Sequence, residues 1–128
     1  DALYITLKTL NLKKNDEVII PAMTWKSTLT AVLNNNLKPV LVDIENNSSN
    51  ININEIKKKI TKKTKAIIVV HLYGNPVDVI KLKKIIKDKN IKIIEDAAQA
   101  HGAELSRVKK RWDILVILVV LVFIMEKI

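Results

Sequence analysis

Four short β-prone runs recur along the chain: Glu17–Ile20, Pro39–Ile44, Ala66–His71 and Ile91–Glu95. Their centres lie roughly 25 residues apart, the length of a strand–helix–strand unit. Helical patterns fill the gaps. Leu3, Leu7 and Leu10 share a face over residues 1–12, and Trp25, Leu29 and Val32 form a second stripe. Ile56 and Ile60 form a short third, and Val79, Leu82 and Ile86 a fourth, each flanked by lysines that turn to water. The runs AIIVV and IKII are nearly continuous in apolar residues, which suits strands covered on both faces. Right-handed crossovers then make neighbouring strands parallel. The predicted class is α/β, a mostly parallel sheet with flanking helices. Asn46–Asn54 reads as a surface loop.

At 128 residues and 48% hydrophobic content, the chain is one domain or a piece of a larger one, with enough apolar residues for a core. Cysteine is absent, which excludes disulfides and Cys-ligated zinc, and two histidines are too few for a multi-His metal site. The net charge is +9. With 20 Lys, 20 Ile and 12 Asn, all with A/T-rich codons, part of the lysine excess is genome bias. The lysine clusters also lack interleaved aromatics, so no nucleic-acid partner is expected.

Both ends are unusual. The first residue is Asp, and the chain opens inside a helical pattern, as an interior piece of a longer protein would. Near the other end, residues 114–125 (ILVILVVLVFIM) are twelve apolar residues in a row. A membrane span needs about 20, so no membrane partner is expected, and an exposed segment of this kind is an aggregation hazard.

In parallel α/β sheets, ligands sit beyond the carboxyl ends of the strands. Three segments occupy such positions: PAMTW (21–25), HLYGNP (71–76) and EDAAQAHGA (95–103). Asp96 follows an apolar strand. It can cap a helix over Ala97–Ala100, or it can hold a proton on a cofactor nitrogen, as pyridoxal phosphate requires. Gln99, three residues on, can reach the same ligand. Trp25 is either a core residue or a face for a flat heteroaromatic ring. His71 and His101 read as structural, with His101 nearer the cleft, and Tyr73–Pro76 reads as a turn feeding a helix. No hydrolase elbow, Walker loop, dinucleotide fingerprint or zinc motif is present.

Taken in order, DALYITLKTLNLKKNDEVIIPAMTWKSTLTAVL, PVLVDI, KAIIVVHLYGNPVDV and IIEDAAQAHGAE resemble the DegT/StrS-type sugar aminotransferases over residues 1 to about 104. The resemblance implies part of the large domain of the fold-type-I pyridoxal-phosphate (pyridoxal 5'-phosphate) transferases. It implies that Asp96 pairs with the pyridine nitrogen, that Gln99 bonds the ring oxygen, and that Trp25 stacks on the ring. Asp1 and Ala2 match the tail of the phosphate-binding turn. It further implies a cytoplasmic homodimer acting in polysaccharide biosynthesis, with glutamate and a nucleotide-linked keto sugar as substrates. The same family includes sugar dehydratases, in which His replaces the aldimine Lys. From another class, a non-catalytic basic binding module is the rival.

The family pattern continues after GAE into a strand of the type G-x-I-G-x-F-S-F-x-x-x-K, whose lysine carries the cofactor. That segment is missing, so no catalytic residue is assigned and the chain as written is expected to be inactive. Residues 105–128 are an atypical apolar tail, and codon arithmetic suggests its origin. Read from the third base of the Leu115 codon, permitted codons for LVILVVLVFIMEKI give GNIGCFSFYHGKN, the missing strand and lysine in register. The tail is therefore expected to be a frameshifted reading of that segment.

Overall fold

A computed structural model describes residues 1–87, 89–101, 103 and 119–120. In chain order the elements are α1 (Ala2–Thr9), β1 (Glu17–Pro21), α2 (Lys26–Asn34), β2 (Lys38–Val42) and α3 (Ile53–Lys59). They continue with β3 (Thr64–Val70), a 3₁₀ turn (Leu72–Gly74), α4 (Val79–Ile86), β4 (Lys92–Asp96) and a two-residue strand β5 (Val119–Val120). The sheet order is β2-β1-β3-β4-β5, and every pairing is parallel.

The period-2 alternation of β1, β3 and β4 sorts their side chains between two cores. Val18, Ile20, Ile68 and Ile94 point to one face, where Leu3 and Leu7 of α1 and Ala31 and Val32 of α2 cover them. Ile19, Ile67, Val69 and Ile93 point to the other, under Ile53 and Ile56 of α3 and Val79, Leu82 and Ile86 of α4. Burial on both faces explains why β1 and β3 read as unbroken apolar runs. β2 lies at the edge, where Pro39 costs no ladder bond on the open side.

The four predicted strands are all present, with ends moved by one or two residues. The α2 stripe is corrected. Val32 is buried, but the other residues of its buried face are Thr28 and Ala31, whereas Trp25 and Leu29 are exposed. The helix starts only at Lys26, so Trp25 is its flanking residue. Asn46–Asn54 is less of a surface loop than expected. Asn50 and Ile51 are buried, Ile51 bridges to Ile44, and the Asn52 side chain caps α3 by accepting from the amides of Asn54 and Glu55. Several asparagines also serve as left-handed stops: Asn11 and Asn36, just past α1 and α2, have φ of 49° and 58°. Of the apolar tail only Val119–Val120 is described, so the reading of residues 105–128 as frameshifted concerns a segment otherwise outside the described residues.

Candidate functional site

The carboxyl ends of β3 and β4, the link that follows β1, one side of α2 and the first turn of α1 surround one cavity of about 590 Å³. Its wall includes Asp1, Ala2, Trp25, Asp96 and Gln99, so the five residues singled out from sequence share one site. Each arrives there for a local reason. Asp96 is the last residue of β4, and the alternation of that strand sends it to the α1/α2 side of the sheet. Trp25 ends the short link from β1 to α2, and its side chain is 77% exposed. Asp1 and Ala2 open α1, whose first-turn amides have no intrahelical acceptor, and the Asp1 side chain makes no capping bond.

Asp96 does not cap a helix. Residues 97–100 form a turn, and Asp96 Oδ1 accepts from the Ala98 amide at 3.1 Å. This Asx-type turn occupies one carboxylate oxygen and leaves Oδ2 for a ligand. The turn also carries Gln99 back over the strand ends. There Gln99 Oε1 accepts from the Tyr73 amide at 2.9 Å. The side-chain NH₂ is thereby left to donate to an acceptor in the cavity.

His71 is buried and bonded, in keeping with a structural role, and its backbone N–H donates to Asp96 O at 3.0 Å. His101 is exposed and does not line the cavity. The cavity wall also includes Tyr4, Ser27 and Thr30, which sequence reasoning missed. Ser27 and Thr30 lie three residues apart on α2, a spacing that marks one helix face but does not say which face meets a cleft.

A further electrostatic feature lies away from this cavity. Glu17, at the amino end of β1, has its carboxyl held below the ordinary range by the Thr61 hydroxyl at 2.5 Å and by Lys38 at 3.1 Å. Among the described residues no group of three or more His, Cys, Asp or Glu is placed to hold a metal ion. The cavity instead offers a carboxylate, an indole face, an amide donor and a helix N-terminus. That set suits a flat heteroaromatic ring bearing an anionic arm.

Residues 1–111 match the model of the DegT/DnrJ/EryC1/StrS aminotransferase family. A dTDP-3-amino-3,6-dideoxy-alpha-D-galactopyranose transaminase of Aneurinibacillus thermoaerophilus is 45% identical over 103 residues, covering 80% of this chain and 28% of its own. Among solved structures, DesV of S. venezuelae in complex with a ketimine intermediate superimposes with a TM-score of 0.76 at 37% identity, over 80% of this chain and 28% of that one. The GDP-4-keto-6-deoxy-D-mannose-3-dehydratase of E. coli, with bound hydrated PLP, gives 0.76 at 34% identity, over 82% and 28%. The chain thus spans a little over a quarter of the length of these relatives.

Proposed function

The chain belongs to the DegT/DnrJ/EryC1/StrS aminotransferase family, and from that premise we propose that it is the cofactor-binding part of a pyridoxal-phosphate aminotransferase. The parent moves an amino group from glutamate to a nucleotide-linked keto sugar, as a cytoplasmic homodimer. One observation carries this reading: Asp96, Gln99, Trp25 and the first turn of α1 line a single cavity. The fit is chemical as well as spatial. Asp96 Oδ2 holds the proton on the pyridine nitrogen. The Gln99 NH₂, oriented by the Tyr73 amide, donates to the ring oxygen. The Trp25 indole covers one face of the ring. The amides that follow Asp1 and Ala2 take part of the phosphate. When bound, the cofactor supplies a protonated ring that accepts electrons from the reacting centre.

Pyridoxamine phosphate is the probe that tests this. It has no aldehyde, so the 20 lysines cannot capture it covalently. Asp96→Asn should weaken its binding by about ten- to a hundredfold, the loss expected for one charge-assisted hydrogen bond. Equal binding by wild type and variant, or none by wild type, would sink the reading.

The chain as written does not transaminate, because the lysine of the family pattern is missing. The residues beyond 111, where the family match ends, are an out-of-frame reading of the segment that holds it, which the codon arithmetic on residues 115–128 supports. The DNA from the Glu104 codon onward decides this. An open shifted frame running through FSFYHGKN is expected, and a closed one overturns the reading. The likeness to a dehydratase favours a second reading for the parent, and the same DNA separates the two: Lys at that position means transamination, His means dehydration.

A further inference from the structure

On the face of the sheet opposite the cavity, His71 and Glu95 form a buried couple. Their exposures are 4% and 1%, and His71 Nε2 lies 3.0 Å from Glu95 Oε2. The other ring nitrogen settles the protonation. His71 Nδ1 accepts from the Val77 amide at 3.0 Å, so it carries a lone pair, and the ring proton sits on Nε2, donated to Glu95. A neutral, tautomer-fixed imidazole therefore ties the start of the 71–77 turn to its end, and ties both to β4.

That turn is one the chain would not adopt unaided. Tyr73 has φ 55° and ψ 26°, left-handed for a residue with a Cβ, and Gly74 follows at φ 79°. A Cβ on Gly74 would stand 3.3 Å from Gln99 O, so the turn lies directly on the Gln99 backbone. The product of this geometry is the Tyr73 amide aimed at Gln99 Oε1. Such backbone persists only where its surroundings over-determine it. The His71 ring, clamped between Glu95 and Val77, is the constraint nearest to hand.

We propose that His71 and Glu95 are positioning residues. From the far face of the sheet they hold the 71–77 turn in its left-handed form, and so orient the Gln99 amide toward the ligand. Glu95 precedes Asp96 on β4, so this strand end serves both faces: Asp96 faces the ligand, and Glu95 sets the turn that aims Gln99. The ligand half of the inference rests on the function proposed above, whereas the turn half does not.

The test uses the full chain and has three readouts. Imidazole ¹⁵N shifts of His71 in the unsubstituted protein should show the proton on Nε2; a proton on Nδ1 overturns the proposal without any variant. In His71→Phe, which keeps an aromatic ring but makes neither bond, hydrogen exchange at the Tyr73 amide should quicken at least tenfold while the Ile67 and Ile68 amides change less than threefold. Tyr73 exchange that stays within threefold, or that quickens only in step with the strand, overturns it. Pyridoxamine-phosphate affinity then completes a double-mutant cycle. If His71 acts through Gln99, adding His71→Phe to Gln99→Ala should cost less than threefold more, whereas additive losses overturn the positioning role. Absence of pyridoxamine-phosphate binding by wild type counts against the function reading alone, since the first two readouts judge the couple without a ligand.

Discussion

Trp25→Ala separates a ligand-facing indole from a core one. Trp25 is 77% exposed, so at most about a quarter of its surface is removed from water. For a side chain that buries up to about 250 Å², that is roughly 60 Å², worth about 1.5 kcal/mol at 25 cal/mol/Å². This is an upper bound, because unfolded chains already bury part of such surface. A fully buried aromatic would cost about 3–5 kcal/mol. Against a stacked ring the same indole offers one face, on the order of 80 Å², worth about 2 kcal/mol, with about 0.5–1.5 kcal/mol more for the aromatic pair. The expected result is therefore a shift of less than about 1.5 kcal/mol in urea unfolding, with a loss of pyridoxamine-phosphate affinity of about 50-fold or more. A stability loss above about 3 kcal/mol would show Trp25 to be core. Unchanged affinity in a folded variant would show that the indole is not the stacking face.

Leu82→Ala, at a fully buried position between α4 and the sheet, should cost about 2–5 kcal/mol in the same unfolding assay; a cost under 1 kcal/mol would mean that the α3/α4 layer is not packed as described. Acid should weaken the amino end of β1. The folded Glu17 carboxyl titrates below its ordinary value because Thr61 and Lys38 bond the charged form, so its stabilising contribution is present above the unfolded carboxylate range and is lost as pH falls through the lowered folded value. Glu17→Gln should remove that part of the acid dependence, and an unchanged slope of stability against pH between wild type and variant would refute it.

Strand positions were legible because a strand covered on both faces must be apolar at nearly every residue, as AIIVV and IKII are. The α4 face was legible for a related reason: Val79, Leu82 and Ile86 are the large apolar residues at helical spacing, and all three are buried. α2 misled because hydrophobic periodicity cannot distinguish an apolar residue facing the core from one facing a cleft. The buried position at Thr28 is polar, its hydroxyl satisfied by Thr24 at 2.8 Å, while Leu29 and Leu33 face outward. Asp96 misled on local structure in another way. Asx turns and helix N-caps use the same bond from a side-chain oxygen to a following amide, and only the path of the chain beyond tells them apart. The left-handed Tyr73 had no sequence signal at all, because tyrosine is not a residue type that favours positive φ.

That last miss bears on how a quarter of a relative's length brings so many of the predicted site residues to one cavity. In a parallel sheet all strands end on the same side, so one edge collects a loop from every crossover. Here three such loops and one helix start meet at the cavity, and all of them lie within the first hundred residues. The loops are not interchangeable. The β1–α2 link contributes an exposed side chain whose replacement should leave the fold intact. The β4 end contributes a carboxylate whose turn is self-contained through Ala98. The β3–α4 turn contributes Leu72 to the wall and, at Tyr73, a backbone amide held in a conformation that its own residue type disfavours. Residues at such a place are constrained by what lies behind them in the sheet, which is why the pair that sets this amide, His71 and Glu95, sits on the face opposite the cavity.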